Sequence, residues 1–329
     1  MRVLVTGATG FVGRHLLPVL HDAGHSLTLP LRHIDSQARL AKVTESGAER
    51  ISVLGDIDEG TDWREALEGV DAVIHLAARA HLLDESADQS DAFMRVNARG
   101  TARLVEQSVE AGVRRFVLMS SIGAVTAASD RLVTLDTPCA PETPYGRSKR
   151  AAERALIELS RGTAMSWTIL RPTLVYGPGN PGNMQRLVAL VKRGLPLPLG
   201  AVTNRRSFTF VENLAKATTI VLSHSGAADA TFLVADGQDL STPELIRRIA
   251  ALAGSRTRLP SVPMPLLHGL ARGADAFTAA TGKALPLSSP SLRRLVSSLY
   301  VDIEPLRAKL GWTPPIGVDE GLRRMMAAS

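Results

Sequence analysis

Tyr145 and Lys149 stand four residues apart in the stretch TPYGRSK. Four residues are about one helical turn, so a helix here would set the phenol and the ammonium on one face, within reach of each other. An ammonium beside a phenol favours the phenolate and pulls it down from an ordinary value of about 10 toward a range useful for proton transfer near neutrality. Such a pair is a candidate general acid or base. The same stretch also reads as a plain helix start, with Thr143 as cap, Pro144 in the first position and the pair solvated. Spacing alone leaves both readings open.

The opening segment VLVTGATGFVGRHLL places Gly7, Gly10 and Gly13 between a strand-like run and a helix-like run. Glycines there permit a tight turn and let backbone amides approach a pyrophosphate, which then sits at the positive end of the helix. A dinucleotide site is expected. The second strand should end near Leu31, where an NAD-preferring site would place a carboxylate on the ribose. Leu31 stands there instead, followed by Arg32, a cation suited to a 2'-phosphate. NADP is therefore favoured over NAD, with Asp35 just beyond keeping NAD open.

Chemistry at these positions needs a frame. The runs RVLVTG, LTLPL, RISVLG, DAVIHLA, RFVLMS and WTILRPT alternate with helical periodicity over residues 11–23, 61–68, 91–112 and 144–162. This alternation predicts an α/β fold, a doubly wound parallel sheet spanning residues 1–175. Beyond residue 175 come Gly, Pro and Asn clusters, isolated strands and short helices. We expect a smaller, mixed substrate-binding part over residues 176–329, with 207–235 returning to the sheet.

A chain of 329 residues, 45% hydrophobic and 21% charged, can build a full core. Its net charge of +6 comes from scattered arginines with only 4% aromatics, which argues against nucleic-acid binding and leaves attraction for small anions. The single cysteine, Cys139, reads as a small buried residue and fits a reducing compartment, so a cytoplasmic location is expected. The N-terminus reads directly into a strand and turn, and no transmembrane segment is expected. Residues 262–282 carry apolar residues at helical spacing, including Leu266, Leu267, Leu270 and Phe277. They read as core or subunit contact, with membrane-surface association as the alternative.

Several of these motifs together resemble the extended short-chain dehydrogenase/reductase family over nearly the whole chain, and so imply a Rossmann-type fold. TGATGFVG is similar to its glycine loop, with Phe11 and Val12 offering amides to the pyrophosphate. GDI resembles the segment whose Asp56 and Ile57 meet adenine, and HLAA the strand end at Leu76, Ala77 and Ala78 beneath the cofactor. VNARGT is similar to the helix element containing Asn97, and MSSIGAV to the strand end with the catalytic hydroxyl. LRPTLVYGPG resembles the turn beside the nicotinamide at Pro172 and Val175. The resemblance implies that Tyr145 is the general acid or base, that Lys149 depresses its pKa while holding the nicotinamide ribose, and that Ser121 hydrogen-bonds the same substrate oxygen. It also implies a homodimer through helices near 95–112 and 146–160. No metal is expected.

The C-terminal part resembles the nucleotide-sugar branch. Asn183 and Arg206, with Arg294 as a looser candidate, are similar to residues on a diphosphate, and Leu199 to one beside uracil. Ile122 and Gly123 stand where dehydratases of this family carry an Asp-Glu pair, which disfavours elimination of water. What remains is hydride transfer at C4 of a nucleotide sugar, with UDP as the expected nucleotide. Reduction of a 4-ketone is placed ahead of 4-epimerisation because Arg32 favours NADPH. Two readings of other kinds stay open: an NADP-dependent reductase of a hydrophobic alcohol or ketone, and a non-catalytic NADP-sensing protein.

Overall fold

The computed structural model describes residues 1–33, 48–80, 87–180, 182–282 and 288–327. Asp35 lies outside them. Seven parallel strands form the central sheet: β1 (Arg2–Thr6), β2 (Ser26–Leu31), β3 (Ala48–Val53), β4 (Ala72–His75), β5 (Arg115–Met119), β6 (Ser166–Pro172) and β9 (Ala230–Val234), in the order β3-β2-β1-β4-β5-β6-β9. The remaining strands, β7 (Leu174–Tyr176) and β8 (Phe208–Phe210), pair with each other in a small separate sheet.

Alternation along each strand builds a core on either face. Val3, Val5, Val117, Met119 and Leu170 point to one side, where helices Phe11–Asp22 and Val211–Ser223 cover them. Leu4, Phe116, Leu118 and Ile169 point to the other, beneath helices Gly100–Glu110 and Pro144–Leu159. Strand order reverses direction between β1 and β4, so the carboxyl ends of these two strands open the crevice where doubly wound sheets take their ligands.

After β7 the chain leaves this sheet. Helices Asn183–Lys192, Thr242–Ala253, Met264–Thr281 and Ser289–Val296 surround a separate core containing Leu187, Val191, Leu199, Ile249 and Leu267. The return to the sheet runs through helix Val211–Ser223 to β9, and Leu306, Leu310 and Trp312 also join the first core. Among the described residues no helix is long and apolar enough to cross a membrane.

Candidate active site

The glycine loop shows its purpose in its geometry. Gly7 has φ +71°, and a Cβ there would meet the Ala77 nitrogen at 2.8 Å. A Cβ on Gly13 would stand 2.4 Å from the carbonyl oxygens of Gly7 and Ala8. The loop is thus pressed against the HLAA strand end on one side and its own helix on the other. Helix Phe11–Asp22 starts at Gly10 with no side-chain cap, which leaves its first amides facing outward for an anion. These residues fit the pyrophosphate of a dinucleotide. Leu76, Ala77 and Ala78 are partly exposed at the β4 end of the same crevice.

A directed chain of hydrogen bonds holds that strand end. The Ala77 amide donates to Thr6 Oγ1 at 3.1 Å, and Thr101 Oγ1 donates to the Asn97 carbonyl at 2.7 Å. Thr101 has then spent its only proton, so buried His75 must donate from Nε2 across 2.9 Å and accept at Nδ1 from Thr6 across 2.7 Å. Burial, followed by the Lys149 charge, lowers the imidazole to about 3, and it stays neutral. Asn97 sits in a π-helical turn, Met94–Arg99. Its side chain bonds both ways to the Arg79 backbone and donates to Ser148 Oγ, which in turn donates to the Tyr145 carbonyl.

At the adenosine end, Arg32 follows β2 and forms an exposed ion pair with Asp56 at 2.6 Å. Ile57 packs beneath the helix, where a Cβ on Gly100 would stand 2.8 Å from its Cγ2.

Helix Pro144–Leu159 carries Tyr145 and Lys149, and its start matches the plain reading as well: Thr143 Oγ1 accepts from the Gly146 amide at 3.0 Å and Pro144 opens the helix. Gly146 lets the Ser121 loop close in, since a Cβ there would lie 2.2 Å from the Gly123 oxygen. Ser121 Oγ accepts from the Gly123 amide at 3.1 Å, and a Cβ on Gly123 would lie 3.4 Å from Ser121 Oγ and 3.9 Å from the Tyr145 ring. Ser121 and Tyr145 are therefore brought together. Phe93 meets the Tyr145 ring edge-on at 6.1 Å.

The electrostatics differ from the expectation. Lys149 was expected to depress Tyr145, but its ammonium donates to the Met119 carbonyl at 2.6 Å, and burial pushes the phenol up while only the Ser121 hydroxyl opposes. Burial lowers Lys149 itself to about 8, partly offset by Glu153 one turn on. Glu153, which the sequence reading did not single out, is wholly buried. Its carboxylate accepts from Arg171 Nε at 2.8 Å and Nη2 at 2.7 Å, from Arg150 at 2.9 Å and from Ser120 at 2.6 Å. It ties the neighbours of Ser121, Lys149 and Pro172 to one point. The spacing Tyr145, Lys149, Glu153 on one helical face was the available signal.

Arg206 is brought toward this site by backbone pairing. The loop beyond Ser121 bonds to residues 298–302 through Ser129, Val133 and Asp302, and that segment bonds to Arg205 and Ser207. The half-buried Arg206 guanidinium donates to the carbonyls of Arg294 and Ser297. Among the described residues it has no carboxylate partner, and burial alone lowers its pKa. Arg294 is exposed on helix Ser289–Val296. A cavity of about 220 Å³ lined by Asp130, Thr203, Met264 and Val296 lies beside this strip. Leu199 does not face it: at 3% exposed it packs in the C-terminal core. Asn183 opens its helix, but its side chain lies outside the described residues. Pro172 ends β6 and Val175 lies in β7, partly buried. Cys139 is half-buried beside Arg171, less enclosed than expected.

The profile of the NAD dependent epimerase/dehydratase family matches residues 3–235. The chain belongs to that family. This NAD dependent epimerase/dehydratase family member is 36% identical to a UDP-glucose 4-epimerase of Vibrio cholerae, over 99% of this chain and 94% of the relative. It is 26% identical to the N-acetyl-alpha-D-glucosaminyl-diphospho-ditrans,octacis-undecaprenol 4-epimerase of Escherichia coli O157:H7, over 98% and 94%. Among solved structures, MoeE5 in complex with UDP-glucuronic acid and NAD superposes with a TM-score of 0.77 at 27% identity, covering 100% of this chain and 98% of that one. The protein is accordingly an enzyme of the NAD dependent epimerase/dehydratase family, built on the Rossmann-type sheet that the sequence implied.

Proposed function

We propose that the protein is a UDP-sugar 4-epimerase. The observation that carries the reading is Arg206: a half-buried guanidinium without a carboxylate partner among the described residues, set on the backbone strip that also holds the Ser121 loop. A forked cation of this kind suits a diphosphate. The likeness to the Vibrio cholerae 4-epimerase supports assigning the chemistry to C4.

In this reading Tyr145 removes and returns the proton of the C4 oxygen, and Ser121 hydrogen-bonds the same oxygen. Lys149 holds positive charge beneath the pair, and Arg206 with Arg294 fixes the diphosphate while the sugar turns. The nicotinamide cofactor, when bound in the Gly7–Gly13 crevice, supplies reversible hydride acceptance. No carboxylate follows Ser121, where Ile122 is buried and Gly123 has no side chain, so the site is suited to hydride exchange without loss of water. The Arg32–Asp56 pair already balances the cation at the adenosine end, which favours NAD for this reading. A homodimer through helices Gly100–Glu110 and Pro144–Leu159 belongs with it.

Net 4-keto reduction is the second reading. Arg32 at the end of β2 could serve a 2'-phosphate, and a phenol kept protonated by burial suits donation to a ketone oxygen. Incubation with UDP-glucose or UDP-N-acetylglucosamine and no added reductant decides between them: formation of the C4 epimer by protein with copurified NAD is expected. Consumption of NADPH in step with product would instead identify the reductase. Arg206→Ala is expected to weaken UDP binding about tenfold or more, and unchanged affinity would overturn the diphosphate assignment.

A further inference from the structure

The C-terminal part presents an apolar stripe that the catalytic reading does not use. In helix Met264–Thr281 the residues Leu267, Ala271 and Ala274 face the core at 0%, 0% and 8% exposure, whereas Leu266, Leu270 and Phe277 are 57%, 52% and 45% exposed. At about 100° per residue the three exposed side chains fall within one narrow stripe along the helix. Gly269 and Gly273 border it and are open, with nothing within 4 Å of a Cβ there. Single exposed apolar residues are ordinary, but a stripe of three on one helix is not.

Charge selects the occupant. The described residues between 251 and 300 carry five arginines, Arg256, Arg258, Arg272, Arg293 and Arg294, all exposed. Their one carboxylate, Asp275, is half-buried and accepts from the Ser289 amide. An apolar stripe on a stretch of chain that carries five exposed arginines and a single half-buried acid suits a plane of anionic headgroups, into which the leucines and phenylalanine insert while the guanidiniums meet phosphates. The helix is about 27 Å long and would lie in the interface rather than cross it.

We propose that helix Met264–Thr281 docks the protein on an anionic bilayer surface. Helix Ser289–Val296, which carries Arg294 and receives Arg206 at its last turn, packs against the docking helix. A bilayer held there lies one helix away from the candidate diphosphate site, so a sugar diphosphate displayed at the membrane surface would be delivered to these arginines.

The test is co-sedimentation of the full chain with phosphatidylglycerol vesicles and with phosphatidylcholine vesicles. Binding to the first only, weakened by salt, is expected. The variant L266S/L270S/F277S should lose about tenfold or more of that binding while its turnover of soluble UDP-sugar is unchanged. The variant R256Q/R258Q/R272Q, which leaves the apolar stripe intact, should lose the salt-dependent part. Absence of wild-type binding, or full binding by either variant, would overturn the proposal. So would conversion of a dimer to a monomer by the serine variant in light scattering, which would show that a second copy covers the face. Turnover of soluble substrate is read separately, so failure of the epimerase reading is distinguishable from failure of this one.

Discussion

Replacing Glu153 by Gln removes a buried negative charge behind the Tyr145–Lys149 pair and keeps its shape. Three cations then face one another there: Lys149, Arg150 and Arg171. The Gln oxygen can still accept from Ser120 and one Arg171 nitrogen, but its amide turns a donor toward donors. Arg171 is 5% exposed and finds no water to replace the lost carboxylate oxygen. Breaking a buried ion pair from one side costs about 3–5 kcal/mol. With one oxygen retained, we expect about 3 kcal/mol, a large part of a total stability of about 5–15 kcal/mol. Urea unfolding at neutral pH measures it. A second readout separates charge from packing. Lys149 is lowered to about 8 by burial and held up by Glu153, so its pKa falls further without that charge. The alkaline limb of activity should move to lower pH in Glu153→Gln and return in Glu153→Asp, even though Asp recovers only part of the stability. A Gln variant within about 1 kcal/mol of wild type, the scale of an exposed pair, with an unmoved limb would refute the reasoning.

Tyr145→Phe should lower turnover about 100-fold or more, with cofactor affinity retained, as steady-state rates and cofactor titration will show. Gly146→Ala forces a Cβ to 2.2 Å from the Gly123 oxygen, so the Ser121 loop must move. We expect about 1–3 kcal/mol of destabilisation in urea and a reduced kcat. His75 is lowered to about 3 when folded, against an ordinary value of about 6.5. Below pH 6.5 the unfolded chain takes up a proton that the native protein refuses, so stability falls by about 1.4 kcal/mol for each pH unit down to 3. Unfolding midpoints of His75→Gln measured across that window should slope less steeply than those of the wild type.

The sheet was legible because its signals are local. Runs such as RVLVT and RFVLM are short, near-continuous apolar stretches buried on both faces, and Gly7 and Gly13 mark the turn whose close contacts exclude any side chain. The Tyr145–Lys149 spacing was legible for the same reason, although not its electrostatics. Which way Lys149 points is decided by the Met119 carbonyl, 30 residues away, and no helical periodicity reports that. The strip joining the Ser121 loop, residues 298–302 and Arg206 was hidden more deeply. Val133 pairs with Val301 and Arg206 with Leu299 as single isolated bridges, too short to leave a strand pattern in the sequence. Arg206 was found by resemblance, and its lack of a carboxylate partner among the described residues is visible only in the folded chain.

The return of the chain to the sheet at β9, after its excursion from β7, has a consequence for how this enzyme can be altered. In the proposed reading the two diphosphate arginines, Arg206 and Arg294, come from two stretches of chain separated by a helix and strand that complete the central sheet. An exchange of substrate preference between relatives would therefore require two grafts, one between β7 and β8 and another after β9. Cutting the chain once would strand part of the specificity with the wrong parent. Recombination at a single junction is a poor route to new sugars in this architecture, whereas point changes along the Arg206 strip remain open to it.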